Sequence, residues 1–154
     1  MTKKTLFLNG WYFTKQPLGS TLEDIKERKE AFRAVNLPHD WLIYQGKELY
    51  EDSTGWYRKV FSCEKQQDYR YEIYFEGVYM DTTVYLNGQV LGEWKYGYSS
   101  FFFDMTPLLR EGDNELLVRV NYQAPNSRWY SGAGIYRNVY LRKQPKFHFI
   151  TDSL

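Results

Sequence analysis

Period-two alternation of apolar and polar positions runs through most of this chain. From Tyr69 to Phe75, Tyr71, Ile73 and Phe75 alternate with Arg70, Glu72 and Tyr74, the pattern of a strand with one face in a core. Gly55 to Phe61 alternates in the same way, with Tyr57, Lys59 and Phe61 against Trp56, Arg58 and Val60. Gly112-Asp113-Asn114 predicts a turn into a strand over Glu115 to Tyr122, with Leu116, Val118 and Val120 on one face. Val84-Tyr85-Leu86 leads into Asn87-Gly88, a two-residue hairpin signal, because a type I′ turn needs positive φ twice. Val90 and Leu91 open the returning strand, and a phenylalanine run, Phe101 to Phe103, stops at Asp104 and Pro107. The first strand is expected over Thr5 to Phe13, interrupted at Asn9-Gly10 by a turn or bulge. Arg33 to Leu37 reads as a short strand ended by Pro38. Glu48 to Thr54 reads as loop. A last strand is expected from Ile135 to about Arg142, followed from Pro145 to Leu154 by an exit segment.

Only Ser20 to Ala34 looks helical. Ser20-Thr21-Leu22-Glu23 resembles a capping box, and Leu22, Ile25 and Lys29 share a face, but the apolar stripe is thin. The segment predicts a short surface helix or a charged loop with a solvated face. Strands at roughly ten-residue spacing, separated by Gly, Asn, Asp and Pro, predict an all-β antiparallel sandwich. Of the sandwich forms, a jelly roll is favoured over an immunoglobulin type.

Composition narrows the function classes. The chain has 154 residues, enough for one domain with a sizeable core. A net charge of +1 gives no reason to expect nucleic acid or a charged membrane surface as partner. No apolar run approaches a membrane span, and the three-residue apolar run after the N-terminal lysines is too short for a signal peptide's apolar region. A single cysteine, Cys63, allows no intrachain disulfide. Together these features lead to the expectation of a cytoplasmic protein. Fifteen tyrosines, ten phenylalanines and five tryptophans suit both half-buried sheets and polar binding surfaces.

Candidate chemistry concentrates in two loops. His39-Asp40-Trp41 sets an imidazole, a carboxylate and an indole side by side after Pro38. Ser127 to Leu141 begins with aromatic and small residues, and Gly132 and Gly134 flank one alanine where another backbone or a ligand could come close. A sugar wants donors and acceptors for its hydroxyls and a flat ring for its C–H face. Asp40 can accept, Arg128 can donate, and Trp41, Trp129 and Tyr130 offer flat apolar faces. The plain structural reading stands beside this: Asp40 caps backbone amides in a turn, and the aromatic loop closes a sandwich. Tyr96 and Tyr98, around Gly97, either extend an aromatic platform or fill the core. No Gly-rich phosphate loop, metal-spaced Cys/His set or nucleophile elbow is present, and His39 and His148 fit no zinc pattern. No metal site and no cofactor is expected.

Several stretches, taken in order, resemble the N-terminal domain of glycoside hydrolase family 2. They are Asn9-Gly10-Trp11-Tyr12-Phe13, Val35-Asn36-Leu37-Pro38-His39-Asp40-Trp41 and Gly55-Trp56-Tyr57-Arg58-Lys59, then Phe75-Glu76-Gly77-Val78, the Val84 to Gly88 hairpin, Gly97-Tyr98 and above all Ser127 to Leu141. The Arg-Trp-Tyr-Ser-Gly-Ala-Gly-Ile-Tyr-Arg form from Arg128 to Arg137 is most similar to the β-galactosidase branch.

The resemblance implies a galactose-binding-domain-like jelly roll over residues 1–144. Residues 145–154 would lead toward an immunoglobulin-like domain and a catalytic (β/α)₈ barrel. The implied activity is that of a retaining exo-β-glycosidase with two glutamates on the barrel, so no catalytic residue is expected within this chain, which reads as a fragment. The implied partners are a terminal β-linked sugar, galactose foremost, the remaining domains of the same chain, and a second copy in the full-length enzyme. In such β-galactosidases a polar residue in the position of Asp40 touches the galactosyl unit. Some members carry a sodium- and sugar-binding aspartate just before the tryptophan of the last loop. Ser127 and Arg128 occupy that region here, which puts a sodium site in doubt and leaves Arg128 as the sugar contact, with Trp129 and Tyr130 shaping the wall. A free-standing carbohydrate-binding module and a purely structural inter-domain sandwich are the other readings.

Overall fold

The computed structural model describes residues 2–41, 52–123 and 133–146. Among these, ten strands pair antiparallel in two sheets, the jelly-roll sandwich expected from the alternation. They are β1 (Lys3–Leu6), β2 (Trp11–Pro17), β3 (Arg33–Val35), β4 (Ser53–Cys63), β5 (Tyr69–Phe75), β6 (Thr82–Leu86), β7 (Gln89–Trp94), β8 (Phe101–Asp104), β9 (Gly112–Tyr122) and β10 (Val139–Pro145). One sheet has the order β1-β10-β5-β8 and the other β3-β2-β4-β9-β6-β7.

The residues that alternate inward meet between the sheets. Tyr71, Ile73 and Phe75 of β5 and Val139 of β10 face Trp11, Phe13, Tyr57, Val84, Leu116, Val118 and Val120 of the larger sheet, all buried. Fully burying one such side chain stabilises the fold by about 1.5–3 kcal/mol. The Asn87-Gly88 hairpin joins β6 to β7 with both residues at positive φ (53° and 83°), as the type I′ reading requires.

Four local details differ from the sequence reading. The first strand is two strands in different sheets: β1 pairs with β10 and β2 with β4, and the chain crosses between sheets at Phe7 to Gly10. A period-two pattern records which face is apolar but not which sheet a strand joins. The helix α1 (Leu22–Lys26) is capped one residue later than expected, with Thr21 Oγ1 accepting from Asp24 N–H and Asp24 Oδ2 accepting from Thr21 N–H. The Ser20 hydroxyl is engaged elsewhere, accepting from Trp56 Nε1 at 2.8 Å. Strand β4 begins at Ser53, inside the expected loop. Finally, β10 begins at Val139 and not at Ile135, because Ala133 to Ile135 bond to other loops.

The helical segment is also more than a solvated face. Ile25, 2 % exposed, joins Trp56, Tyr85 and Leu117 in a second apolar cluster on the outer face of the six-stranded sheet, with Leu22 and Phe32 packed against it. These three sheet residues are the out-facing partners of the alternation that sends Tyr57, Val84, Leu86, Leu116 and Val118 inward.

Candidate functional site

The two loops singled out by chemistry meet at one end of the sandwich. Leu37–Pro38 is a cis peptide, and the segment beyond it runs beside Ala133 to Ile135. His39 N–H donates to the Ile135 carbonyl (2.8 Å) and Trp41 N–H to the Ala133 carbonyl (3.0 Å). On its other side the same short stretch pairs with Tyr79: Tyr79 N–H donates to the Gly134 carbonyl and Gly134 N–H to the Tyr79 carbonyl, both 2.9 Å. Ala133 to Ile135 is therefore held between two neighbours. Gly134 makes that approach possible. Its φ is +128°, and a Cβ there would lie 2.4 Å from Tyr57 Oη and 2.7 Å from the His39 carbonyl oxygen.

Asp40 is at the centre of this seam. Its side chain is buried, 7 % exposed, and Oδ1 accepts the Ala133 N–H at 3.0 Å. A buried carboxyl group must be hydrogen-bonded. The capping function open to Asp40 in sequence is thus made across 93 residues and not within its own turn.

Trp41 is 1 % exposed. Its Nε1 donates to Ser53 Oγ (3.1 Å), Phe13 lies 5.4 Å away ring to ring, and the indole lies so close over Gly55 that a Cβ there would fall 2.4 Å from it. Trp41 therefore acts as a packed floor that fixes the height of Asp40, not as an open stacking platform. Arg128, Trp129 and Tyr130 lie outside the described residues, separated from Ala133 in sequence by Ser131 and Gly132.

Beneath the seam, Tyr57 of β4 completes the network. Its hydroxyl lies 2.7 Å from His39 Nδ1 and accepts the Ile135 N–H at 3.4 Å. Burial lowers the His39 pKa below its ordinary value of 6.5, and the neighbouring Asp40 charge opposes this only in part. Burial thus favours the neutral imidazole, and in the tautomer that carries its proton on Nε2 the ring accepts a hydrogen bond from the Tyr57 hydroxyl at Nδ1. Phe13 touches His39, Trp41 and Tyr57 at centroid distances of 4.7, 5.4 and 4.8 Å. On the far side of Gly134, the Tyr136 hydroxyl donates to the Gly97 carbonyl (2.6 Å), tying in the loop that carries Tyr96 and Tyr98.

Tyr57, Tyr79 and Tyr136 were not candidates on sequence grounds. Tyr57 and Tyr136 each stand in one of the family-like motifs, but their hydroxyl partners are remote in sequence. Among the described residues no cluster of three His, Cys, Asp or Glu side chains could hold a metal ion.

Residues 20–145 match the family described as glycosyl hydrolases family 2, sugar binding domain. The chain belongs to that family. Its β-galactosidase BoGH2A relative from Bacteroides ovatus is 45 % identical over 130 residues, covering 76 % of this chain and 15 % of the relative. A protein from Formosa agariphila named as a putative β-glucuronidase is 36 % identical over 164 residues, covering 98 % and 16 %. Among solved structures, a β-glycosidase from Bacteroides vulgatus superposes with a TM-score of 0.72 at 35 % identity, over 90 % of this chain and 20 % of that one. The chain thus spans about a sixth of the length of the two curated relatives. The family-2 domain matches in sequence and in fold.

Proposed function

We propose that this family-2 domain serves a retaining exo-β-glycosidase of β-galactosidase type. Its seam would hold the non-reducing terminal sugar at the mouth of a catalytic (β/α)₈ barrel supplied by further domains of a longer protein, toward which residues 145–154 lead. The observation that carries this reading is the buried Asp40 carboxylate bonded to Ala133 N–H. That bond ties the Asp40 carboxyl to Ala133, three residues after Tyr130 in sequence, which supports a shared role for the two loops. In this scheme Asp40 and Arg128 hydrogen-bond sugar hydroxyls, Trp129 and Tyr130 form the wall, and Trp41 sets the position of Asp40. Galactose is preferred as the sugar because the Arg128 to Arg137 motif and the Bacteroides ovatus relative both point to the β-galactosidase branch.

The test is Asp40→Asn in the protein that includes the barrel. Asn keeps an oxygen for the Ala133 N–H but removes the charge. Loss of a charged hydrogen-bond partner costs about 1.5–3 kcal/mol, so kcat/KM should fall by roughly ten- to a hundredfold while Tm stays nearly constant. Unchanged kcat/KM with a clearly lowered Tm would reduce Asp40 to a structural cap.

A further inference from the structure

Beside the seam lies a cleft of about 360 Å³ whose walls include Tyr79, Lys95, Tyr96, Tyr98 and Ser99. It is an open groove that would leave one side of a ligand to solvent. Tyr96 and Tyr98 are 67 % and 58 % exposed, yet the loop that carries them is well anchored. Ser99 N–H donates to the Tyr96 carbonyl (3.4 Å), the Tyr136 hydroxyl bonds Gly97 (2.6 Å), Tyr98 meets the Tyr79 ring at 5.5 Å and Tyr96 stands edge-on to Trp94 at 5.3 Å. Exposed aromatic rings on an anchored loop offer contact area at little entropic cost. Lys95 adds an ammonium donor and Ser99 a hydroxyl that both donates and accepts.

Backbone bonds tie one wall of the cleft to the seam. Tyr79, in its wall, exchanges two hydrogen bonds with Gly134, and Ala133, the next residue, bonds Asp40. We infer that this cleft is a second saccharide subsite, which takes the sugar following the terminal one, with its C–H face on Tyr96 or Tyr98 and its hydroxyls on Lys95 and Ser99. The inference rests on the seam being the site of the terminal sugar. It adds that the domain itself reads the next unit of the glycan.

The experiment is an amide NMR titration of the chain with methyl β-D-galactopyranoside and with lactose, whose galactosyl unit is followed by a glucose. Both sugars should shift Ala133 and Gly134. Only lactose should shift Tyr96 to Ser99, and it should bind about three- to tenfold more tightly than the monosaccharide. Tyr96→Ala, at an exposed position, should abolish that advantage, and Tyr98→Ala should reduce it. Tyr96→Phe, which keeps the ring, should preserve it. Shifts at Ala133 and Gly134 with none at Tyr96 to Ser99, or equal affinity for the two sugars, would overturn the cleft and leave the seam standing. Absence of shifts at both places would overturn both.

Discussion

Strand β4 places two neighbouring aromatics on opposite faces of the same sheet, and each serves a different region. Trp56 points outward into the cluster closed by Ile25 of α1, where Tyr85 stacks on it at 5.9 Å and Ser20 satisfies its indole N–H. Tyr57 points inward to the seam, where its hydroxyl meets His39 and Ile135. The outer cluster is built almost wholly from apolar burial, which is non-directional. The seam is built from directional bonds among buried polar groups, which position atoms but are costly when broken. A fold can be stabilised by either means, but only the second fixes a carboxylate to within a fraction of an ångström. Stability and function should therefore separate between the two faces.

The largest effect should come from the outer face. Trp56→Ala leaves a cavity under α1 and should cost about 3–5 kcal/mol in chemical denaturation, while kcat/KM per folded molecule of the longer protein stays unchanged. A loss of turnover beyond the unfolded fraction would show that the two faces are coupled.

Gly134→Ala breaks the comparison from the other side. A side chain at φ +128° costs about 1–3 kcal/mol in backbone strain alone, and the new Cβ must displace Tyr57 Oη or His39. Stability should fall, and sugar binding should be lost even in the folded fraction, as read by the same NMR titration. Retained binding would mean that the seam tolerates displacement and does not set the site's geometry.

Tyr57→Phe is the subtler change. It removes the partner of His39 Nδ1 and of the Ile135 N–H and should cost about 1–3 kcal/mol. The pH dependence sharpens it. Burial holds the folded-state pKa of His39 below the ordinary 6.5, so the unfolded chain binds the proton more readily. The stability that comes from keeping His39 neutral is present above pH 6.5 and is lost as pH falls through the folded-state value. Relative to His39→Gln, the wild-type chain should thus lose Tm as pH is lowered from 7.5 to 5. A constant difference across that range would show that His39 is not buried neutral.

These contrasts also explain what was legible beforehand. Period-two alternation marks the strands β4, β5 and β9, and Asn87-Gly88 marks the hairpin that joins β6 to β7, because each signal depends on neighbours in sequence. The alternation that marked Trp56 as the out-facing neighbour of Tyr57 said nothing of what covers it. Ile25 lies in a charge-rich stretch whose apolar stripe is too thin to announce a core contact. The cap register is not legible in sequence because Ser20 and Thr21 are equally good cap residues in isolation, and the remote Trp56 indole engages the Ser20 hydroxyl. In the site, Asp40 and the glycine-flanked Ala133 were visible as unusual chemistry, but their mutual bond is a product of topology. Trp41 carried the right residue type for a stacking surface, and burial against Gly55 and Phe13 gave it another duty. Arg128, Trp129 and Tyr130 remain sequence-based assignments.

The most direct measurement is a crystal structure of the longer protein with a β-galactoside bound. The account predicts an Asp40 carboxylate oxygen within about 2.6–3.2 Å of a hydroxyl of the non-reducing sugar, with the Ala133 N–H still on Asp40 Oδ1. A sugar held entirely by barrel residues, with no atom of residues 37–41 or 128–136 in contact with it, would contradict the account.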